Sequence, residues 1–326
     1  MTESFALALD LGGTNIKATA YGTRQGVLVR AKAPTLVHEG PVLVLKRMAA
    51  LATQVRALSE IPLKNYKALG VGSPGPLDPV RGVVLQTPNL KGWKNVPVAA
   101  ALAKAVGLPV KLENDARCAA WGEFVRGAGR GSQDMAMLTL GTGVGGGLIL
   151  DGKLRVGRDF TAGELGFLYA DPHGPSCNFG LPGSLEAFAS ATGLANLARR
   201  ALQKRKRGPL WTLCQGKPAL VTAAMAHQAL GQGDPSAQEA WASAGYALGS
   251  GVAGLINALN LERVVLGGGV MAGGGKELLA AVRATAKRGA YPQPFKRCKI
   301  VAAELGDDAG AIGAAELALA AAGNRA

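Results

Sequence analysis

Two stretches of this chain spell out the same local architecture. "FALALDLGGTNIKATAYGTRQGVLVRA", starting at Phe5, and "MAMLTLGTGVGGGLILDGKLRVGRDF", starting at Met135, each read as strand, tight Gly/Thr turn, strand, glycine turn, strand. A long-period internal repeat of this kind restricts the fold to two related halves, each opening on a β-meander. Helical patterns fill the intervals, at roughly 41–59, 97–106, 115–127, 184–206, 218–231, 235–258, 276–289 and 308–322. Short β-rich runs lie between them: "KALGVGSPG", "PVKLEND", "ERVVLGGG" and "KIVAAEL". Strands followed by helices make an α/β protein, with a boundary placed near residue 114. At 326 residues, 48% hydrophobic and 18% charged, the chain can bury a core in each half and is far from disorder.

The apolar runs are interrupted by glycine or charge, so no membrane span is expected. The start, "MTESFALALDLGG", shows no basic leader or cleavage site, and a cytoplasmic location is expected. Cys118, Cys177, Cys214 and Cys298 stand far apart, as free thiols in a reducing compartment do. The net charge of +14 favours anionic company such as nucleotide or polyphosphate. Its sharpest cluster, "RRALQKRKRG" at 199–208, reads first as a solvated helix end and second as an anion-binding rim. No aromatic residues interleave with it, which argues against nucleic acid.

The second repeat contains GxGxxG at Gly141, Gly143 and Gly146. A dinucleotide fingerprint needs a helix after that turn, and here "LILDGKLRVG" alternates like a hairpin. The Walker pattern is absent. The turns read instead as hairpin loops that offer backbone N–H groups to phosphate, with glycine permitting close approach and Thr adding a hydroxyl. "DLGGT" (Asp10, Gly12, Gly13, Thr14) and "LGTG" (Gly141, Thr142, Gly143) supply one turn per half, expected to face each other across a cleft. Asp10 adds a carboxylate able to hold Mg²⁺ directly or through water. A third run, "VVLGGGVMAGGG" with Gly267, Gly268 and Gly269, is expected as a strand-to-helix loop, either plain and flexible or a flat surface for a nucleoside.

Taken together, "LDLGGTNIKA", "GVGSPGPLDPVRGVVLQTPNLKGW", "LENDARCAAWGEFVRGAGRG", "LTLGTGVGGGLILDGKL", "AGELGF" and "VVLGGGVMAGG" make the chain resemble the ROK family of sugar kinases and repressors over nearly its whole length. The resemblance implies an actin-like, hexokinase-like ATPase fold with two lobes around a cleft, the first being 1–114 joined by a terminal helix at 308–326 and the second 115–307. It implies ATP with Mg²⁺ and phosphorylation of a hexose hydroxyl, usually on C6, in a homodimer. In "END", Asp115 would be the general base and Asn114 would orient the sugar, while Asp115 could also simply cap the helix that begins there. Gly75, Asn89, Glu164 and Glu186 carry over as sugar contacts, the two glutamates being open also to reading as ordinary surface acids. Lys17 joins Asp10 and the Gly/Thr turns on the nucleotide side.

The family's segment GE-x-GH, followed by CxCGxxGCxE, holds a structural Zn²⁺ through one His and three Cys. Here those positions are Phe167, Cys177, Phe179 and Ser184, with Glu186 in place. His173 lies within the segment, yet His plus one Cys is two ligands short of tetrahedral zinc, so no zinc site is expected. Phe167 and Phe179 are expected to touch and to be at least partly buried, replacing the metal with an apolar cluster. Phe167 cannot hydrogen-bond a sugar hydroxyl, which leaves selectivity on that side open.

The sequence therefore points to an ATP-dependent hexose kinase of glucokinase type. Acceptor variants are N-acetylmannosamine, N-acetylglucosamine, mannose and fructose, and polyphosphate is a lesser donor. A sugar-sensing repressor is disfavoured, because only nine residues precede Asp10 and no DNA-binding domain is expected. A non-catalytic sugar-binding member of the same family is the remaining alternative.

Overall fold

The computed structural model describes residues 3–87, 90 and 92–323. In it the two repeat segments become one sheet plan built twice. β1 (Phe5–Leu11), β2 (Asn15–Gly22) and β3 (Gly26–Pro34) form the first meander, and β4 (Tyr66–Ser73) runs parallel to β1. A small antiparallel sheet of β5 (Leu77–Asp78), β6 (Val83–Gln86) and β7 (Lys94–Val96) follows, and β8 (Val110–Asn114) then closes the order β3-β2-β1-β4-β8. The second sheet repeats that order with β9 (Met135–Leu140), β10 (Val144–Leu150), β11 (Lys153–Leu154), β12 (Arg263–Gly267) and β13 (Lys299–Ala302), as β11-β10-β9-β12-β13.

β1 is apolar up to Asp10 because both its faces are covered. Leu7, Leu9 and Leu11 point one way, onto Val44, Met48, Leu51 and Val55 of α1 (Pro41–Leu58) and Leu102 of α2 (Val98–Val106). Ala6 and Ala8 point the other way, onto Cys118 of α3 (Asp115–Arg126) and a helix from the far end of the chain. α3 also packs, through Ala120, on Met135, Met137 and Ile149 of the second sheet, so it lies against both sheets.

The second half places α4 (Leu185–Ala189), α5 (Ala191–Arg205), α6 (Pro209–Leu213) and α7 (Ala223–Gly231) around α8 (Pro235–Leu259), whose start is capped by Asp234. α9 (Gly269–Gly289) and α10 (Pro292–Arg297) precede β13, and α11 (Ala309–Gly323) ends the described chain. α11 crosses α3 at backbone contact: a Cβ on Gly313 would lie 1.7 Å from the Cys118 carbonyl oxygen, and one on Gly122 would lie 2.2 Å from that of Ala309.

Three helical expectations change. The run at 184–206 is two helices, because Ser190 is extended (φ −70°, ψ 161°) and caps the second through Gly193 N. The run at 218–231 becomes helical only from Ala223, with Thr222 as cap. The helix expected from Lys276 begins at Gly269 and kinks at Gly274, which leaves room for Trp241 and His227. The glycine run is thus the opening of a helix, and the open loop is ruled out.

Candidate active site

Asp10 sits at the carboxyl end of β1, in register with Lys17 on β2 and Gly72 on β4. Asp115 opens α3 where β8 ends, one strand further along the same sheet. The glycine at 72 keeps the space between them open, since a Cβ there would lie 3.9 Å from Asp10 Oδ1 and 3.6 Å from the Asp115 Cα. Burial pushes the Asp10 carboxyl up to about 6, the Asp115 charge adds to this, Lys17 opposes it and Asp307 adds a little more. Burial also raises Asp115, partly offset by the amide of Ala116 and the charge of Arg117. Two carboxylates facing each other in partial burial favour a shared cation or proton.

The helix cap proves to be Asn114, whose Oδ1 accepts from Arg117 N at 3.1 Å, while Asp115 Oδ1 takes the Ala116 amide at 2.8 Å. Behind them lies an ion pair that sequence reasoning missed. Glu113 and Arg117 are 3% and 2% exposed, with Arg117 Nη2 at 2.7 Å and Nε at 2.8 Å from Glu113 Oε1. Arg117 Nη1 also donates to the Phe160 carbonyl at 2.7 Å, tying α3 to the loop that leads into Glu164. Their i, i+4 spacing was the available signal, and it spans a strand-to-helix junction instead of a helix face. Glu164 is exposed, and its carboxyl is raised by desolvation, lowered by Arg117, and raised again by Asp115 and Glu186.

The first glycine turn closes with Gly12 N donating to Asn15 O at 3.0 Å, leaving Gly13 and Thr14 exposed at the tip. Fully buried Thr35 braces it from behind, its Oγ1 donating to Gly12 O at 2.7 Å and its N to Thr14 O at 2.8 Å. No local signal marks Thr35, which is brought in by β3. Lys17 lies 3.9 Å from Asp307, half-exposed.

The second turn closes with Gly141 N donating to Gly143 O at 2.9 Å, with Thr142 exposed. Gly143 is required by a side chain: a Cβ there would lie 2.5 Å from Glu186 Oε2, which accepts from Val144 N at 3.0 Å. Gly267 ends β12, Gly268 (φ +89°) turns against the end of β9, and Gly269 starts α9, whose first amides take no side-chain cap among the described residues. An uncapped helix start of this length can take an anion. Gly75 (φ +86°) follows β4. Asn89 lies outside the described residues.

Around the former zinc motif, the Phe167 and Phe179 rings meet edge to face, centroids 5.4 Å apart at 86°. Phe167 is half-buried, but Phe179 is 60% exposed, contrary to expectation. Its loop turns at Gly180 (φ +79°), which puts the ring at the tip, against Phe167 and outside the core. Ser184 is fully buried and caps α4, donating its place in the pattern to helix initiation. Among the described residues no group of three His, Cys, Asp or Glu is arranged to hold a metal ion. A single carboxylate at Asp10 does suit Mg²⁺, which keeps most of its waters and needs one or two protein carboxylates beside phosphate.

One sheet order built twice, a glycine turn between the first two strands of each meander and an acidic pair beside the first define a phosphotransferase of the actin-like ATPase fold. The chain belongs to the ROK family, whose model matches residues 6–321. It is 37% identical to a glucokinase of Thermotoga maritima over 95% of this chain and 96% of that one. A ROK hexokinase structure from Thermus thermophilus superposes with a TM-score of 0.83 at 34% identity, covering 99% of this chain and 100% of that one. A ROK glucokinase from Streptomyces griseus in complex with glucose and AMPPNP superposes with a TM-score of 0.81 at 32% identity, covering 97% and 100%.

Proposed function

We propose that this protein is an ATP-dependent hexose kinase of glucokinase type that moves the γ-phosphoryl group to a sugar hydroxyl, with glucose C6 the first choice. The observation that carries this is the Asp10–Asp115 pair at the ends of β1 and β8, on either side of β4 in one sheet, in a chain similar over its length to glucokinases. Asp115 takes the proton of the attacking hydroxyl, and its raised carboxyl makes it a better base than an exposed aspartate. Base help of this kind contributes roughly 10²–10⁴-fold, and positioning with charge stabilisation supplies most of the remainder.

Asp10 would hold Mg²⁺ through water, and the ion would neutralise charge on the transferring phosphates. Gly12, Gly13 and Thr14 on one side and Gly141, Thr142 and Gly143 on the other clamp phosphate, with Lys17 beside the first turn. Gly267, Gly268 and Gly269 form the nucleoside side. Gly75, Asn89, Asn114, Glu164 and Glu186 face the sugar. Residues 1–114 with 308–326 and residues 115–307 act as the two lobes that close on the substrates, in a cytoplasmic homodimer.

The half-buried Phe167 beside Glu164 favours a second reading at the level of the acceptor, because an aromatic ring there tolerates an altered or N-acetylated sugar. Coupled ADP release measured across glucose, mannose, fructose, N-acetylglucosamine and N-acetylmannosamine tests both. Turnover with at least one hexose, lowered at least ~100-fold by Asp115→Asn, is the expected result. Sugar binding without turnover on any of them would instead favour a non-catalytic binding protein.

A further inference from the structure

Glu186 does something that a sugar contact alone does not require. It is 7% exposed, and its Oε2 accepts from the Val144 amide at the end of the second glycine turn. The same short segment grips that turn at two more points: Ala191 N donates to Gly141 O at 2.8 Å, and Thr192 Oγ1 donates to Thr142 O at 3.1 Å. The break between α4 and α5 makes this possible. An unbroken helix would keep the Ala191 amide for its own ladder, whereas extended Ser190 turns it outward and fixes the corner by donating its Oγ to Glu186 O at 2.7 Å. The other carboxylate oxygen, Oε1, is buried and finds no partner among the described residues. A buried acid kept for structure alone satisfies both oxygens, so one left open points to a ligand.

We propose that residues 184–192 form a clasp joining the acceptor site to the second phosphate turn, with Glu186 as its positioning residue. This rests on the kinase reading above. A sugar hydroxyl donating to Oε1 completes the carboxylate, while Oε2 holds the Val144 amide and so sets the turn for the donor phosphates. Gly143 is the matching part, since any side chain there displaces Oε2. Acceptor and nucleotide thereby bind synergistically, and the coupling is reciprocal.

Calorimetry of AMPPNP with Mg²⁺, without sugar and with saturating glucose, tests the clasp. In the wild type, glucose is expected to tighten AMPPNP at least ~5-fold, the lower end of ordinary coupling. Glu186→Ala is expected to weaken AMPPNP at least ~5-fold even without sugar and to abolish the effect of glucose, by the same scale. Glu186→Gln keeps a carbonyl for the Val144 amide and is expected to restore the sugar-free affinity. If Glu186→Ala does not fold, Thr192→Val decides, with weaker sugar-free binding of AMPPNP expected. Sugar-free affinity equal to wild type in Glu186→Ala, or in Thr192→Val when that variant decides, overturns the clasp. The sugar-free measurement needs no turnover, so a failure of the kinase reading on the hexose panel is seen separately.

Discussion

Replacing Arg117 by Met separates the stability role of the buried ion pair from its electrostatic role at the site. The guanidinium meets Glu113 through two nitrogens at 2.7 and 2.8 Å, both groups being almost fully covered. Removing one partner leaves an uncompensated charge, at a cost of about 3–5 kcal/mol. At ~2.1 cal/mol/K per residue, 326 residues give ~0.7 kcal/mol/K, so the loss reads as a fall in Tm of ~4–7 °C. The double variant Glu113→Gln/Arg117→Met removes the stranded charge and is expected to recover much of it. The Arg117 charge also lowers the carboxyls of Asp115 and Glu164. Without it both carboxyls rise, the base is protonated at higher pH, and the acid limb of kcat/KM moves upward. Differential scanning calorimetry and a pH–rate series on hexose phosphorylation measure the two effects. A single variant as stable as wild type, a double variant no better than the single, or an acid limb that moves down would each refute this account.

Gly313→Ala is expected to destabilise by at least about 1–3 kcal/mol in urea unfolding, since its Cβ would overlap the Cys118 carbonyl and force α11 off α3. Phe179→Ala is expected to cost no more than about 0.5–1.5 kcal/mol by the same measurement, because the exposed ring contributes only its edge-to-face contact with Phe167.

What the sequence made legible was local. The Gly/Thr turns each follow a short apolar strand, and an apolar run with glycine at the bend needs no distant partner to be read. The duplicated meander announced two related halves, whereas the places of β4, β8, β12 and β13 beside those meanders are set by long-range pairing. What escaped was decided by contacts far along the chain. Ser190 interrupts a helical pattern whose residues all tolerate helix, because its neighbours reach Gly141 and Thr142 some fifty positions earlier. The run 269–275 is poor in helix propensity, yet it winds because the turn at Gly268 against β9 and the packing of Trp241 set its course. Glu186 was visible as an acid beside glycines, but Val144 as its partner was not. Phe179 was placed by a turn at Gly180 that outweighed its hydrophobicity.

The position of α11 has a consequence for how the chain is made. Ala6, Ala8 and Tyr21 of the first sheet are covered by Ala311, Ile312, Ala314 and Ala315, about three hundred residues later. During synthesis that face emerges some three hundred residues before the helix that covers it. The first sheet therefore cannot finish folding vectorially, and its closing step is a loop closure of about three hundred residues. Small side chains suit that wait, because a strip of alanines exposes little adhesive surface while its cover is still being translated.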